Sequence, residues 1–136
     1  SLWEKMEEMN GHEMDKIHAL FKSQDERLEA KQRIMELGDL SISDSMGTNL
    51  EINAPGVNKG MGLIQLGRLL GIEREEIMAC GDGNNDLMML KEVGFGVAMA
   101  NGADEVKEVA DYITLSNEED GVAAAIEKFV LNPERG

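Results

Sequence analysis

The sequence predicts an α/β protein in which a parallel sheet follows an α+β layer. From residue 59 onward, short apolar runs alternate with helical segments, a pattern typical of parallel βαβ units with right-handed crossovers. Before residue 54 the strand-like pieces suggest antiparallel strands beside helices. A glycine-rich acidic turn, Gly81-Asp82-Gly83-Asn84-Asn85-Asp86, directly follows one of the later apolar runs and offers a candidate ligand site.

Composition limits the classes of protein to which this chain can belong. Its 136 residues fit one domain, or one domain with a partial second. The formal net charge of −14 disfavours binding to nucleic acid or to anionic membranes, since both reward Lys and Arg. The single cysteine, Cys80, excludes an internal disulfide and is interpreted as a small buried apolar residue. With no apolar run of about 20 residues and no signal peptide, we expect a cytoplasmic protein.

The first 53 residues are expected to form a helix, a strand, a longer helix and two further strands. The predicted ranges are 3–9, 16–21, 24–37, 40–43 and 49–53. Gly38 is a candidate C-cap of the longer helix, and a turn around residues 45–47 joins the last two strands.

The remaining residues are expected to alternate between helix and strand. The helices are predicted at 59–70, 86–93, 104–110 and 118–131, and the strands at 77–80, 95–99 and 112–115. Leu63, Leu66 and Leu70 recur at helical spacing before Gly71, which ends the first of these helices. Helices should cover both faces of the sheet, the last one through Val122, Ile126, Phe129 and Val130. Because so small a sheet leaves an edge exposed beside residues 77–80, self-association through that edge is also expected.

The acidic turn places two carboxylates after a buried strand, where open α/β sheets bind their ligands. Such a hard oxygen site suits Mg²⁺. An EF-hand loop would need Gly and Glu where Leu87 and Val93 stand, so that interpretation fails. No Walker A lysine is present, and Asp86 occupies the place of the third glycine in a dinucleotide fingerprint. The remaining alternative is a plain surface turn in which Asp86 caps the next helix.

The segments around the turn carry a family resemblance. Val57-Asn58-Lys59-Gly60 opens a helix before it, and the segments 94–99, 106–112 and 119–122 follow it in order. This series resembles the haloacid dehalogenase (HAD) superfamily, and within it the Cof-type phosphatases, which carry an inserted α/β cap. The resemblance is strong from residue 51 to residue 131 and weaker before. It implies that residues 54–136 form the second half of a Rossmann-like parallel-sheet core, and that residues 1–53 form the C-terminal part of an α+β cap domain.

The resemblance also implies roles for four residues. Asp82 and Asp86 would bind Mg²⁺, Asn85 would hold the substrate phosphoryl group, and Lys59 would act as the catalytic lysine that bridges phosphate and nucleophile. The implied activity is Mg²⁺-dependent hydrolysis of small phosphorylated metabolites through an aspartyl-phosphate. These residue types suit phosphoryl transfer, which depends on positioning and on cations that neutralise concentrated negative charge.

One part of the family pattern is missing from these 136 residues. The nucleophile of the family lies in Asp-x-Asp-Gly-Thr, and the nearest string here, Asp44-Ser45-Met46-Gly47-Thr48, has Met46 where the second aspartate belongs. We interpret that string as a hairpin turn. The expectation is therefore a fragment of a phosphatase that is inactive alone, with a non-catalytic binding or assembly module of the same fold as the alternative. Sugar phosphates, pyridoxal phosphate and flavin mononucleotide all remain open as substrates.

Overall fold

The computed structural model describes residues 16–44 and 47–132, and these residues form two three-stranded sheets, one after the other along the chain. The first sheet is antiparallel, with the strand order β1-β3-β2. Its strands are β1 (Lys16–Leu20), β2 (Ser41–Ser43) and β3 (Asn49–Asn53), and helix α1 (Gln24–Met35) connects β1 to β2. The expected antiparallel pairing is therefore confirmed for β1 with β3 and for β2 with β3.

Side-chain alternation gives the first sheet an apolar face and a polar face. Leu50 of β3 is completely buried, and Ile17 lies opposite Ile52 in the β1–β3 ladder. On the other face, Lys16 and Glu51 form an ion pair of 2.7 Å. Several residues of the polar face, among them Lys16 and Glu51, line a cleft.

A partly hidden ion pair ties α1 to the end of β2. The Nη1 atom of Arg27 donates to Asp44 Oδ2 at 2.9 Å, and the two side chains are only 8% and 15% exposed. Lys31 lies 3.9 Å from the same carboxylate oxygen. Asp44 therefore has a structural role, because it links the end of β2 to α1.

The Arg27→Met variant should lower the free energy of unfolding by roughly 2 kcal/mol. Removing one partner of a buried ion pair typically costs about 3–5 kcal/mol, and Lys31 retains part of the compensation for Asp44 here. Urea denaturation checks this, with the exposed Arg33→Met as the matched control on the same helix. Equal stability of the two variants would contradict the structural role of the pair.

The second sheet is parallel, as predicted, and the structure gives its strand order as β4-β5-β6. Its strands are β4 (Met78–Gly81), β5 (Phe95–Ala98) and β6 (Tyr112–Ile113). The helices around it are α2 (Lys59–Leu70), α3 (Leu87–Glu92), α4 (Asp104–Val109) and α5 (Gly121–Ile126). Single 3₁₀ turns lie at Arg74–Glu76, Asn84–Asp86 and Asn117–Glu119, and a π-helical turn at Glu127–Leu131 continues α5.

The core of the second layer lies between its sheet and the helices that follow β4 and β5. Its buried members are aliphatic, as the low aromatic content predicts: Ala79, Met89, Leu90, Val93, Ala98 and Val106. At Gly96 the backbone of β5 approaches α3 so closely that an added Cβ would lie 2.5 Å from the carbonyl oxygen of Leu90. A glycine is therefore required where β5 crosses α3.

Three expectations about the elements need correction. Helix α1 ends at Met35 with Glu36 as its C-cap, two residues before Gly38. The last helix is buried through Gly121 and Ala125 instead of the predicted face, because its small residues allow the closest packing. Of the predicted face, Val122, Ile126 and Val130 are exposed and Phe129 alone makes edge contacts with Phe95 and Tyr112. Only β5 is largely buried on both faces, since β4 and β6 are the outer strands.

The other expectations have different outcomes. Helix α2 and its left-handed cap at Gly71 lie where the sequence predicts them. The predicted helix at residues 3–9 lies outside the described residues, as do residues 45 and 46 of the predicted turn. The division into domains at residues 53 and 54 stays a prediction.

Candidate functional site

The acidic turn lies at the carboxyl end of β4, between that strand and α3. Its backbone is fixed by the loop that follows β5, because Met99 N donates to Gly81 O and Ala103 N donates to Asp82 O, both at 3.0 Å. The loop after β5 thereby holds the backbone of the turn in place. The side chain of Asp82 is exposed, and its backbone is held by these hydrogen bonds.

Asp86 is the buried carboxylate of the turn, with 6% of its surface exposed. Its Oδ2 accepts hydrogen bonds from the backbone N–H groups of Asp82 (3.1 Å) and Gly83 (3.2 Å). Its Oδ1 accepts from Lys59 Nζ at 2.5 Å. The side chain thus folds back over the turn and makes no capping hydrogen bond to α3, unlike the plain surface turn considered above. These three donors compensate the burial of its charge.

Lys59 is the first residue of α2 and lies 27 positions before Asp86 in the chain. Helix α2 starts there because Asn58 is its N-cap, with Asn58 Oδ1 accepting from Met61 N at 2.9 Å. The Lys59 side chain is 51% exposed, so its ammonium group contacts Asp86 and still faces solvent. Its charge adds to the positive end of the helix, an arrangement that attracts anions.

A cleft of about 630 Å³ opens beside this ion pair. One wall is the polar face of the first sheet, and the other wall contains Lys59 and the half-buried Asn85. The remaining polar contributions to the walls include Lys16, Ser41, Ser43, Glu51, Asn53 and Asn84. An anionic group that entered the cleft would meet a cation and an amide beside the acidic turn.

The two aspartates of the turn suit a magnesium ion. Within residues 16–44 and 47–132 no group of three or more His, Cys, Asp or Glu side chains comes together as a metal site. Asp82 and Asp86 therefore offer only part of a coordination shell. Mg²⁺ commonly takes one or two carboxylates and completes its shell with waters and phosphate oxygens, so this donor set fits.

Cys80 precedes the turn in β4 and is half-buried, less hidden than its sequence context suggests. Burial raises the pKa of its thiol above the usual value. The thiol is therefore neutral at physiological pH, which argues against a nucleophilic role because the thiolate is the reactive form.

The structure brings together Lys59 and Asp86 and places Asn85 beside the same cleft, while Asp82 lies at the turn with its carboxylate exposed. It also adds Glu92, the last residue of α3, to the wall of the cleft. Sequence reasoning missed Glu92 because a charged residue at a helix end is usually solvated. No helix among the described residues has the length and apolar character needed to cross a membrane.

Comparison with known proteins gives the family of the chain. The family model of the haloacid dehalogenase-like hydrolases matches residues 3–126. The 5-amino-6-(5-phospho-D-ribitylamino)uracil phosphatase YcsE of Bacillus subtilis is 45% identical over 125 residues, which make up 92% of this chain and 50% of that protein. The chain spans about half the length of this relative.

Solved structures agree with this result. A haloacid dehalogenase-like hydrolase from B. subtilis has a TM-score of 0.81 at 30% identity, covering 91% of this chain and 45% of that protein. A sugar phosphatase of HAD subclass IIB has a TM-score of 0.80 at 31% identity, with coverages of 90% and 46%. With the parallel sheet, the acidic turn after β4 and the lysine at the start of α2, these matches show that the chain belongs to the haloacid dehalogenase-like hydrolases, among the Cof-type phosphatases.

Proposed function

We propose that this chain is the Mg²⁺- and phosphate-binding part of a phosphatase that hydrolyses small phosphorylated metabolites through an aspartyl-phosphate. The observation that carries the proposal is the ion pair between Lys59 and Asp86, held against a rigid acidic turn at the wall of a cleft. The phosphatase names of similar proteins support the type of reaction.

Each site residue has a role in this proposal. Lys59 binds the transferring phosphoryl group and bridges it to the nucleophile, and Asn85 donates to a phosphoryl oxygen from the same wall. Asp82 and Asp86 hold Mg²⁺, which when bound neutralises charge on the phosphoryl oxygens. In the structure the Lys59 ammonium balances the charge of Asp86, so the buried carboxylate is stable without a ligand.

The substrate in this proposal is a small phosphorylated metabolite with hydrogen-bonding groups. The cleft volume of about 630 Å³ falls in the range of small-molecule sites, and Ser41 and Ser43 are among the residues that line it. The relative named for a phosphoribitylamino-uracil substrate supports a polar leaving group of this kind. Because the net charge is −14, we expect neither nucleic acid nor an anionic membrane as a partner. We also expect a cytoplasmic location.

The chain alone should show no turnover of p-nitrophenyl phosphate in the presence of Mg²⁺. The 136 residues contain no Asp-x-Asp-Gly-Thr, so no nucleophile of the family type is available. Release of p-nitrophenolate, followed by absorbance, checks this. Turnover that disappears in Asp82→Ala would contradict the proposal, because it would require a nucleophile within the chain.

A second candidate function is that of a non-catalytic module that self-associates. In the part of the chain that the structure describes, β4 pairs with β5 on one side and has no strand on its other side. Such an edge can recruit a strand from a second copy. We expect light scattering to report a mass that rises with concentration. A strict monomer across the whole concentration range would speak against this candidate.

A further inference from the structure

The first turn of α2 is attached to both ends of α3. At the start of α3, Lys59 forms its ion pair with Asp86, the residue that precedes the helix. At the end of α3, Asn58 Nδ2 donates to Glu92 Oε1 at 3.3 Å. Between these two contacts, Gly60 lies so near Glu92 that an added Cβ would overlap Oε2. The position of Lys59 is therefore determined by contacts at two separate points of one neighbouring helix.

The carboxylate of Glu92 also has an electrostatic relation to α2. Helix α2 has no acidic residue in its own first turn, although the positive end of a helix favours a nearby anion. Glu92 provides this negative charge from the neighbouring helix, with its Oε2 against Gly60. That oxygen is buried and has no hydrogen-bond partner among the described residues. Burying it without a partner costs free energy, and the positive helix end offsets part of this cost.

We propose that Glu92 is a positioning residue that, through Asn58, sets the start of α2 so that Lys59 meets Asp86. A lysine side chain has a long flexible stem, so the direction of its ammonium depends on how firmly its backbone is held. Asn58 connects the start of α2 to Glu92, because its Oδ1 caps α2 while its Nδ2 donates to Glu92. This inference rests on the proposed function for its catalytic meaning, whereas its structural content is independent of that function.

The test uses backbone amide resonances that report on Asp86. The N–H groups of Asp82 and Gly83 both donate to Asp86 Oδ2, so their proton shifts respond when Lys59 leaves Asp86. Lys59→Met defines the shifts of the broken ion pair. We expect Glu92→Met, which removes the acceptor of Asn58 Nδ2, and Asn58→Asp, which sets two carboxylates against each other, each to move both resonances towards the Lys59→Met positions. The exposed Glu108→Met is the matched control and should leave them unchanged.

The double variant N58D/E92Q separates positioning from general packing. The new carboxylate keeps the N-cap of α2 and the new amide donates to it, so the hydrogen bond is remade with donor and acceptor exchanged. We expect the Asp82 and Gly83 resonances to return to their wild-type positions. Orthophosphate titration in the presence of Mg²⁺ should show an affinity about tenfold weaker in each single variant and recovered in the double variant.

The outcomes distinguish the inference from the proposed function. If Glu92→Met and Asn58→Asp lower the urea midpoint but leave both amide resonances at wild-type positions, Glu92 has only a structural role and the inference is wrong. Failure of the double variant to restore the resonances would overturn it as well, as would a Lys59→Met variant that moves neither resonance. If the resonances behave as expected but the wild-type chain binds no orthophosphate, the positioning stands and the proposed phosphatase function fails.

Discussion

The Asp86→Asn variant should lose Mg²⁺-dependent phosphate binding and keep its fold. Asn has the same shape and can still accept from the backbone N–H groups of the turn, but it has no charge for Mg²⁺ or for Lys59. Loss of even an outer partner of a metal site typically lowers affinity about 10- to 100-fold, so losing one of two carboxylates should cost at least tenfold. Because Lys59 is half exposed, its lost ion pair should change the free energy of unfolding by less than about 1 kcal/mol.

Titration followed by amide chemical shifts measures the Mg²⁺ affinity, and urea denaturation measures the stability. The control is Asp104→Asn, which removes the same charge from a side chain that is 94% exposed at the start of α4. The control should bind Mg²⁺ like the wild type. An Asp86→Asn variant that titrates like this control would remove Asp86 from the proposed metal site.

Replacing Gly96 with alanine should destabilise the protein by roughly 3 kcal/mol. The added Cβ would meet the carbonyl oxygen of Leu90 at 2.5 Å and the carbonyl carbon and Cα of Leu90 at 3.1 Å. These are backbone atoms of α3, which cannot rotate away as the end of a side chain can. Either β5 or α3 must shift, and such overpacking costs typically 1–3 kcal/mol, with larger values for rigid surroundings. For a domain of ordinary stability this is a large share of the free energy of unfolding.

Gly62→Ala is the same substitution as Gly96→Ala, but we expect it to raise the free energy of unfolding. Gly62 lies inside α2, and an added Cβ there meets nothing within 4 Å. Alanine should therefore stabilise the chain by about 0.5–1 kcal/mol, because it restricts the unfolded chain and favours the helix. Urea denaturation of the two variants side by side checks both signs. Equal effects would show that the approach of β5 to α3 is not close in solution.

Much of the parallel sheet and its helices could be predicted from the sequence, because helix caps, apolar periodicity and turn residues there indicate the same elements. Helix α2 was found with both bounds, since Asn58 and Gly71 mark its ends and leucines recur between them. The buried face of α5 could not be found in this way. In α5 the buried residues are Gly121 and Ala125, because their small side chains allow close packing. Larger apolar neighbours such as Val122 stay exposed. Periodicity identifies apolar positions but does not reveal how closely two elements approach.

The candidate site was predictable to a different extent. Lys59, Asp82, Asn85 and Asp86 were singled out because an ordered series of motifs surrounds them, and the structure brings Lys59 and Asp86 into contact. Glu92 had no such signal, because its relation to Asn58 spans 34 positions and depends on the packing of two helices. The pair of Arg27 and Asp44 was missed for the same reason, since a buried arginine on a charged helix looks like a solvated one.

The six residues of α3 set the distance between its two contacts with the start of α2, Asp86 with Lys59 and Glu92 with Asn58. One inserted residue would rotate Glu92 by about 100° around the helix axis and move it by about 1.5 Å, so it would no longer meet Asn58 while Asp86 kept Lys59. A deletion would have the equivalent effect in the opposite direction. The number of residues in this helix is therefore constrained, and length variation in related chains should be excluded from α3.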